Sequence, residues 1–218
     1  VNSDVHESSP TFHPDGRDIV FTRCGDDNEQ YNQHCLLYHA TKSEGRWTMA
    51  QVLPFQLAGF NYKDPFFSSD GSQLYFSSDD EDGFGRYDLW VVDFENGIWG
   101  QATNLGPRIN TEGNEVFPTC IGDTLYFSTD FRSGLGGLDI FNSIEHPSLG
   151  WLPPQHLDYP INSGGDDMSF LRILSEDIDG IFASSRKNGE GADDLYSFKK
   201  FSLPKDTTSV EKSGLELE

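Results

Sequence analysis

Leu74-Tyr75-Phe76-Ser77-Ser78-Asp79 returns almost unchanged as Leu125-Tyr126-Phe127-Ser128-Thr129-Asp130, and this recurrence decides the fold. Two weaker copies stand at Val20-Phe21-Thr22-Arg23 and Ile181-Phe182-Ala183-Ser184-Ser185-Arg186, so the equivalent aromatics Phe21, Phe76, Phe127 and Phe182 lie 55, 51 and 55 residues apart. Outward from the first three copies come a proline and a turn: Pro10 with Asp15-Gly16, Pro65 with Asp70-Gly71, and Pro118 with Gly122-Asp123. The fourth keeps only the turn, Asp179-Gly180. After the last three comes a Gly-rich loop ending in aspartate and a second aromatic run: Asp88-Leu89-Trp90, Asp139-Ile140-Phe141 and Asp194-Leu195-Tyr196. Trp47, Trp99 and Trp151, spaced 52 and 52, each follow a glycine closely and open one further strand.

Asp-Gly between apolar segments tolerates the positive φ that a tight hairpin turn needs. The partial alternation of Gln73-Leu74-Tyr75-Phe76-Ser77 suits a strand packed between two sheets. Four short antiparallel strands in a unit slightly over fifty residues long describe one blade of a β-propeller. No long window shows a helical period, so the expected fold is all-β. The expected blades are about 2–55, 56–109, 110–162 and 163–200, followed by a polar linker or tail over 201–218. Val1-Asn2-Ser3 resembles the last strand of a preceding unit, so either four blades close the ring or a fifth lies upstream.

Composition bounds the partners. Against 15 Lys and Arg stand 36 Asp and Glu, a net charge of −21, which repels nucleic acid and anionic membrane surfaces. Aromatics reach 13% of the 218 residues, too many for a disordered chain. No apolar run approaches the roughly 20 residues that span a bilayer, and Val1 to Pro10 lacks the basic start and apolar stretch of a signal peptide. The chain therefore reads as a mature or excised segment with no direct membrane insertion. Of three cysteines, Cys24 and Cys35 flank the polar loop of an expected hairpin, where they are either a disulfide or two free thiols. Cys120, in Phe117-Pro118-Thr119-Cys120-Ile121, reads as a buried small hydrophobe.

His13-Pro14-Asp15-Gly16, Ser68-Ser69-Asp70-Gly71, Gly134-Leu135-Gly136-Gly137-Leu138-Asp139, and Asn104-Leu105-Gly106 with Ile109-Asn110-Thr111 carry a family resemblance. The chain resembles the WD40-like (PD40, TolB-type) propellers, most of all those of OmpA-family cell-envelope proteins of Bacteroidetes, which include a peptidoglycan-anchored component of type IX secretion. The resemblance covers roughly residues 2 to 200. It implies a non-catalytic protein-interaction scaffold in the periplasm, associated with the outer membrane and possessing protein partners in the envelope. Peptidoglycan binding in such proteins belongs to a domain that this sequence does not show. The rival reading is a carbohydrate-binding or glycoside-hydrolase-like propeller.

The Gly-rich loops precede strands and not helices, which speaks against a phosphate loop; Asp88, Asp139 and Asp194 are expected to accept backbone N–H bonds there. Asp79-Asp80-Glu81-Asp82-Gly83 fails the EF-hand pattern, having Ser78 and Leu89 where Asp and Glu are required. A looser calcium site from Asp79, Asp82 and Asp88 is the one metal candidate, with a solvated acidic loop as its alternative, and Asp26-Asp27 and Asp166-Asp167 carry the same ambiguity. No cofactor is otherwise expected. Glycosidase chemistry needs two converging carboxylates, whereas most carboxylates here fall in recurrent turn positions; Arg23, Arg86, Arg132 and Arg186 are too thin a cluster to suggest a sialidase, and the histidines are scattered. The tryptophans recur once per blade, as core packing does. Phe60, Tyr62 and Phe84 lie outside the repeat pattern and are the candidate partner surface, with local loop packing as the alternative.

Overall fold

The structure, a computed structural model, describes residues 3–25, 34–173, 175, 177–202 and 213–217, and all its regular elements are β-strands. Blade 1 is built from β1 (His6–Phe12), β2 (Asp18–Cys24), β3 (Cys35–Ser43), β4 (Arg46–Trp47) and β5 (Gln51–Val52). Blade 2 holds β6 (Tyr62–Phe67), β7 (Gln73–Ser78), β8 (Asp88–Glu95), β9 (Ile98–Trp99) and β10 (Thr103–Asn104). In blade 3 are β11 (Glu115–Ile121), β12 (Thr124–Thr129), β13 (Asp139–His146), β14 (Gly150–Trp151) and β15 (Gln155–His156). Blade 4 comprises β16 (Asp167–Arg172), β17 (Gly180–Ser184), β18 (Asp194–Ser202) and β19 (Ser213–Leu217). All pairings between these strands are antiparallel, as in a β-propeller. The fourth strand expected in each of the first three blades is split in two. In blade 2, β9 pairs with the far end of β8 through Phe94 and Glu95, and β10 pairs with Trp90 and Val91.

The repeated aromatics meet across the strands. Phe21 faces Tyr38, Phe76 faces Trp90, Phe127 faces Phe141 and Phe182 faces Tyr196. Phe76, Phe127 and Phe182 are fully buried. Burying one such side chain contributes about 1.5–3 kcal/mol, so the strongest repeat in the sequence is also the core.

The prolines mark a bulge. The ladder between the first two strands of each blade breaks between Ser8 and Thr11, Lys63 and Phe66, Val116 and Thr119, and Met168 and Leu171. At each break one residue has a left-handed backbone: Ser9, Asp64, Phe117 and Ser169, with φ of 48°, 54°, 53° and 56°. Pro10, Pro65 and Pro118 come next, where a residue without an N–H costs the ladder nothing. Phe170 fills that place in the fourth blade, which is why the proline signal fades there.

The innermost strands β1, β6, β11 and β16 follow one another around the ring, each packing on the next. Among the described residues, no strand of blade 4 touches a strand of blade 1. Leu37, Leu89 and Ile140, at equivalent positions in the third strands, are 0% exposed, whereas Leu195 in blade 4 is 75% exposed. The blade-to-blade cover that the first three enjoy is absent from the fourth.

One reading of the sequence is altered and one left open is decided. Ser213–Leu217 is not part of a linker: it pairs with Phe198–Ser202 as the outer strand of blade 4, because Leu215-Glu216-Leu217 alternates as a strand edge does. Cys24 and Cys35 sit opposite each other at the neck of the β2–β3 hairpin and form a disulfide, with Cα atoms 4.0 Å apart. Asp26-Asp27 lie outside the described residues. Cys120 is a buried free thiol, and burial pushes its pKa up to about 11.

Chain-entropy arguments give a disulfide closing a loop of this size about 3 kcal/mol. The Cys24→Ser, Cys35→Ser double variant is expected to unfold at lower denaturant by that amount, and an unchanged midpoint in chemical denaturation would refute the contribution.

A candidate partner-binding rim

The hairpin loops joining the second and third strands of blades 2 and 3 open at one end of the propeller, beside the links that lead to the next blade. Loop 79–87 in blade 2 and loop 130–138 in blade 3 are held from inside by aspartate. Asp88 Oδ2 accepts from the Phe84 N–H at 2.6 Å and from Asn104 Nδ2 at 2.8 Å. Asp139 Oδ2 accepts from the Leu135 and Gly136 N–H groups at 2.9 and 3.0 Å. Asp194 accepts from the Gly191 N–H at 3.2 Å. Asp88 and Asp139 are 1% exposed, so these are buried bonds to ionisable groups. Asp88 Oδ1 and Asp139 Oδ1 are buried without a hydrogen-bond partner, and His156 Nε2 lies 3.5 Å from the latter.

The glycines have a further purpose that the sequence pattern hides. A Cβ at Gly85 would overlap the Thr111 carbonyl, and one at Gly136 would overlap the Gly165 carbonyl. Each loop is pressed against the first segment of the following blade. The Arg86 N–H donates to the Gly113 carbonyl at 2.8 Å, and the Leu138 N–H donates to Asp166 Oδ1 at 2.9 Å. Asp79 and Asp130 each accept from a backbone N–H and a side-chain amide of the same asparagine, Asn61 and Asn114, at 2.6 to 2.8 Å. On these braced loops Phe84, Phe131 and Leu135 are 49%, 55% and 54% exposed.

Buried acids also line the inner strands. Asp64, at the bulge of β6, accepts from Ser9 Oγ at 3.2 Å and Ser77 Oγ at 3.3 Å, and from the Phe117 N–H, so one carboxylate ties three blades. Burial pushes its pKa up. Glu115 accepts from Thr111 Oγ1 and Thr129 Oγ1 at 2.6 and 2.7 Å, and burial raises its pKa as well. Asp167 accepts from Ser163, Ser184 and Arg186 at 2.5 to 3.0 Å. The sequence does not single out Asp64 or Glu115. No motif surrounds either, and only the bulge and the blade contacts give them their surroundings.

No protein-family profile and no curated protein matches the chain. Solved structures do. TolB from Acinetobacter baumannii aligns over 98% of this chain and 44% of its own, with 14% identity and a TM-score of 0.55. A prolyl endopeptidase aligns over 97% and 31%, with 13% identity and a TM-score of 0.52. The α-L-arabinofuranosidase from Lactobacillus brevis aligns over 88% and 72%, with 10% identity and a TM-score of 0.51. What they share is the propeller fold. This chain spans less than half the length of TolB.

The expected partner trio is corrected. Tyr62 is 2% exposed, and its hydroxyl accepts from the Leu57 N–H at 3.0 Å and donates to Asp80 at 2.8 Å. Phe60 is partly buried against the core of the first two blades. Only Phe84 projects, because the first two close the link over the blade beneath while the third rides a loop tip. The calcium set Asp79, Asp82 and Asp88 does not converge, since Asp79 is bound to Asn61 and Asp88 to its own loop. Among the described residues, the group with ligand atoms within 4.8 Å of one another is His13, Asp15 and Asp18, in which His13 pairs with Asp15 and Asp18 with His39, each at 2.7 Å. Trp99 packs on Phe94 and Phe67, Trp151 on Tyr75 and Trp47 on Phe12.

Two measurements follow from these acids. Asp139→Ala leaves two loop N–H groups without their acceptor and is expected to cost about 1–3 kcal/mol in denaturant unfolding; intact stability would count against the clamp. For Asp64, the folded pKa lies above the unfolded value of about 3.9, so the native state holds the proton more readily. Its contribution is greatest below that value and declines as pH rises towards the folded pKa. The stability of Asp64→Asn relative to wild type is therefore expected to increase from about pH 3.5 to neutrality, and a flat difference would remove the burial argument.

Proposed function

We propose that this propeller is a non-catalytic binding module that docks a protein of basic surface on the rim formed by its Gly-rich loops. One observation carries the reading: Phe84, Phe131 and Leu135 stand half-exposed on loops that buried aspartates and neighbouring backbone hold in place. Apolar side chains on a pre-formed surface gain affinity without an ordering cost. A net charge of −21 favours a cationic partner. The Cys24–Cys35 disulfide fits an oxidising compartment, which supports the periplasm. Together with the family resemblance, it supports a module of a cell-envelope protein associated with the outer membrane. Type IX secretion is the narrowest form of that reading, with peptidoglycan attachment supplied by another domain. The buried carboxylates near the inner strands are each committed to hydroxyl, amide or guanidinium partners, which supports binding over hydrolysis.

A photo-crosslinking residue at position 84 or 135 is expected to trap an envelope protein, while the same residue at Asn96, in the β8–β9 turn, is not. With the crosslinker at position 84, the Phe131→Ser, Leu135→Ser double variant should abolish that adduct with the melting temperature unchanged. Equal crosslinking from both positions, or none from the rim, would overturn the proposal.

A further inference from the structure

Beside the rim, between the first two blades, lies a cavity of about 460 Å³. Phe55 and Trp99 form aromatic walls, their ring centres 6.2 Å apart and steeply inclined at 62°. Phe55 is fixed by stacking on Phe76 at 5.3 Å, and Trp99 by Phe94 at 4.2 Å, so neither wall is free to collapse inward. Tyr62, Asp80 and Asp82 line the side nearest loop 79–87, with the Tyr62 hydroxyl donating to Asp80. Among the described residues, no lysine, arginine or histidine lines the space. Trp90, 8% exposed, also lines it.

An apolar ligand would gain nothing from the carboxylates. An anionic one would meet Asp80 and Asp82. A flat cation fits these walls: it lies against the aromatic side chains and pairs with a carboxylate. Guanidinium meets that description better than ammonium because it is planar, stacks on rings and is more weakly hydrated. We infer that this cavity receives an arginine side chain from the protein that docks on the rim. The inference rests on the rim reading for its partner, and gives that partner a chemical signature. The cavity is within the size range of ligand sites, and buried arginine is a recurrent anchor of interfaces.

The probe is the peptide acetyl-Gly-Arg-Gly-amide, with the citrulline peptide as its neutral isostere. In amide-correlation NMR of the intact chain, the arginine peptide is expected to shift the Trp90 and Trp99 indole N–H signals saturably. Asp82→Asn should weaken that binding by about tenfold, as loss of one charge partner does, and citrulline should be weaker to a similar degree. Asp82 supports no core contact, so the variant keeps its fold; the unchanged signals of Trp47 and Trp151 verify it. Absence of a saturable shift, equal binding of citrulline, or a neutral disaccharide shifting the same signals where the arginine peptide does not would each overturn the assignment, the last in favour of a saccharide site. Peptide binding without rim crosslinking would sink the rim reading and leave the arginine site standing, whereas crosslinking without peptide binding would sink the arginine site alone.

Discussion

At each junction between blades a side-chain amide takes the place of a β-strand. Gln56 Oε1 accepts from the Leu37 N–H at 2.7 Å while its Nε2 donates to the Leu37 carbonyl at 2.9 Å. Asn110 treats Leu89 in the same way at 2.8 and 3.0 Å, and Asn162 treats Ile140 at 2.7 and 2.8 Å. Near the start of each third strand a buried N–H would otherwise have no acceptor, since the short outer strand pairs only beyond it; the carbonyl of the same residue also accepts from the N–H of Leu53, Leu105 or Leu157, each at 3.0 Å. Leaving that N–H unpaired would cost about 1–3 kcal/mol. The amide meets that need and, because it belongs to the link, also sets where the chain turns towards the next blade. Bulge, aromatic pair and Gly-rich loop all depend on that turn being made at a fixed place. Leu195 is the equivalent residue in blade 4, and there the covering layer is missing.

Much of this architecture was legible because repeats expose what a single copy conceals. The Phe spacing located the second strands, and the tryptophans located the outer edge. Asn110 was visible within the Ile109-Asn110-Thr111 motif, but its clamp was not. Gln56 hid it further, since a longer side chain in the first copy breaks the letter match while keeping the chemistry. Asp64 was illegible for another reason. Its partners Ser9, Ser77 and Phe117 come from three blades, and its left-handed φ arises from a bulge that only its proline neighbour announces. Tyr62 was misread because an aromatic outside the repeat pattern can close a link as readily as it can face a partner.

Blade 1 shows that the loop clamp is a requirement with more than one solution. The register places Leu36 where blades 2, 3 and 4 have Asp88, Asp139 and Asp194. A leucine cannot accept loop N–H groups, so the hairpin neck needs another fastening. Cys24 and Cys35, one residue nearer the loop, supply it covalently. Hydrogen bonds to a buried carboxylate hold a short loop because several donors lie within its reach. A disulfide instead fixes the two strand ends and leaves the segment between them free to differ in length and sequence.

That distinction bears on recognition. In blades 2 and 3 the clamp reaches into the loop itself, to Phe84 in one and to Leu135 and Gly136 in the other. The residues whose N–H groups are captured from below include the ones whose apolar side chains project above. On the proposed reading, docking there spends little on ordering, and any change that loosens the aspartate also loosens the apolar tip. Stability and recognition in these loops are thus coupled through one carboxylate per blade. The same coupling explains why Asp88 and Asp139 tolerate an unpartnered buried oxygen: the other oxygen already holds the loop, and a second set of donors would require a longer loop that no longer presses on the next blade.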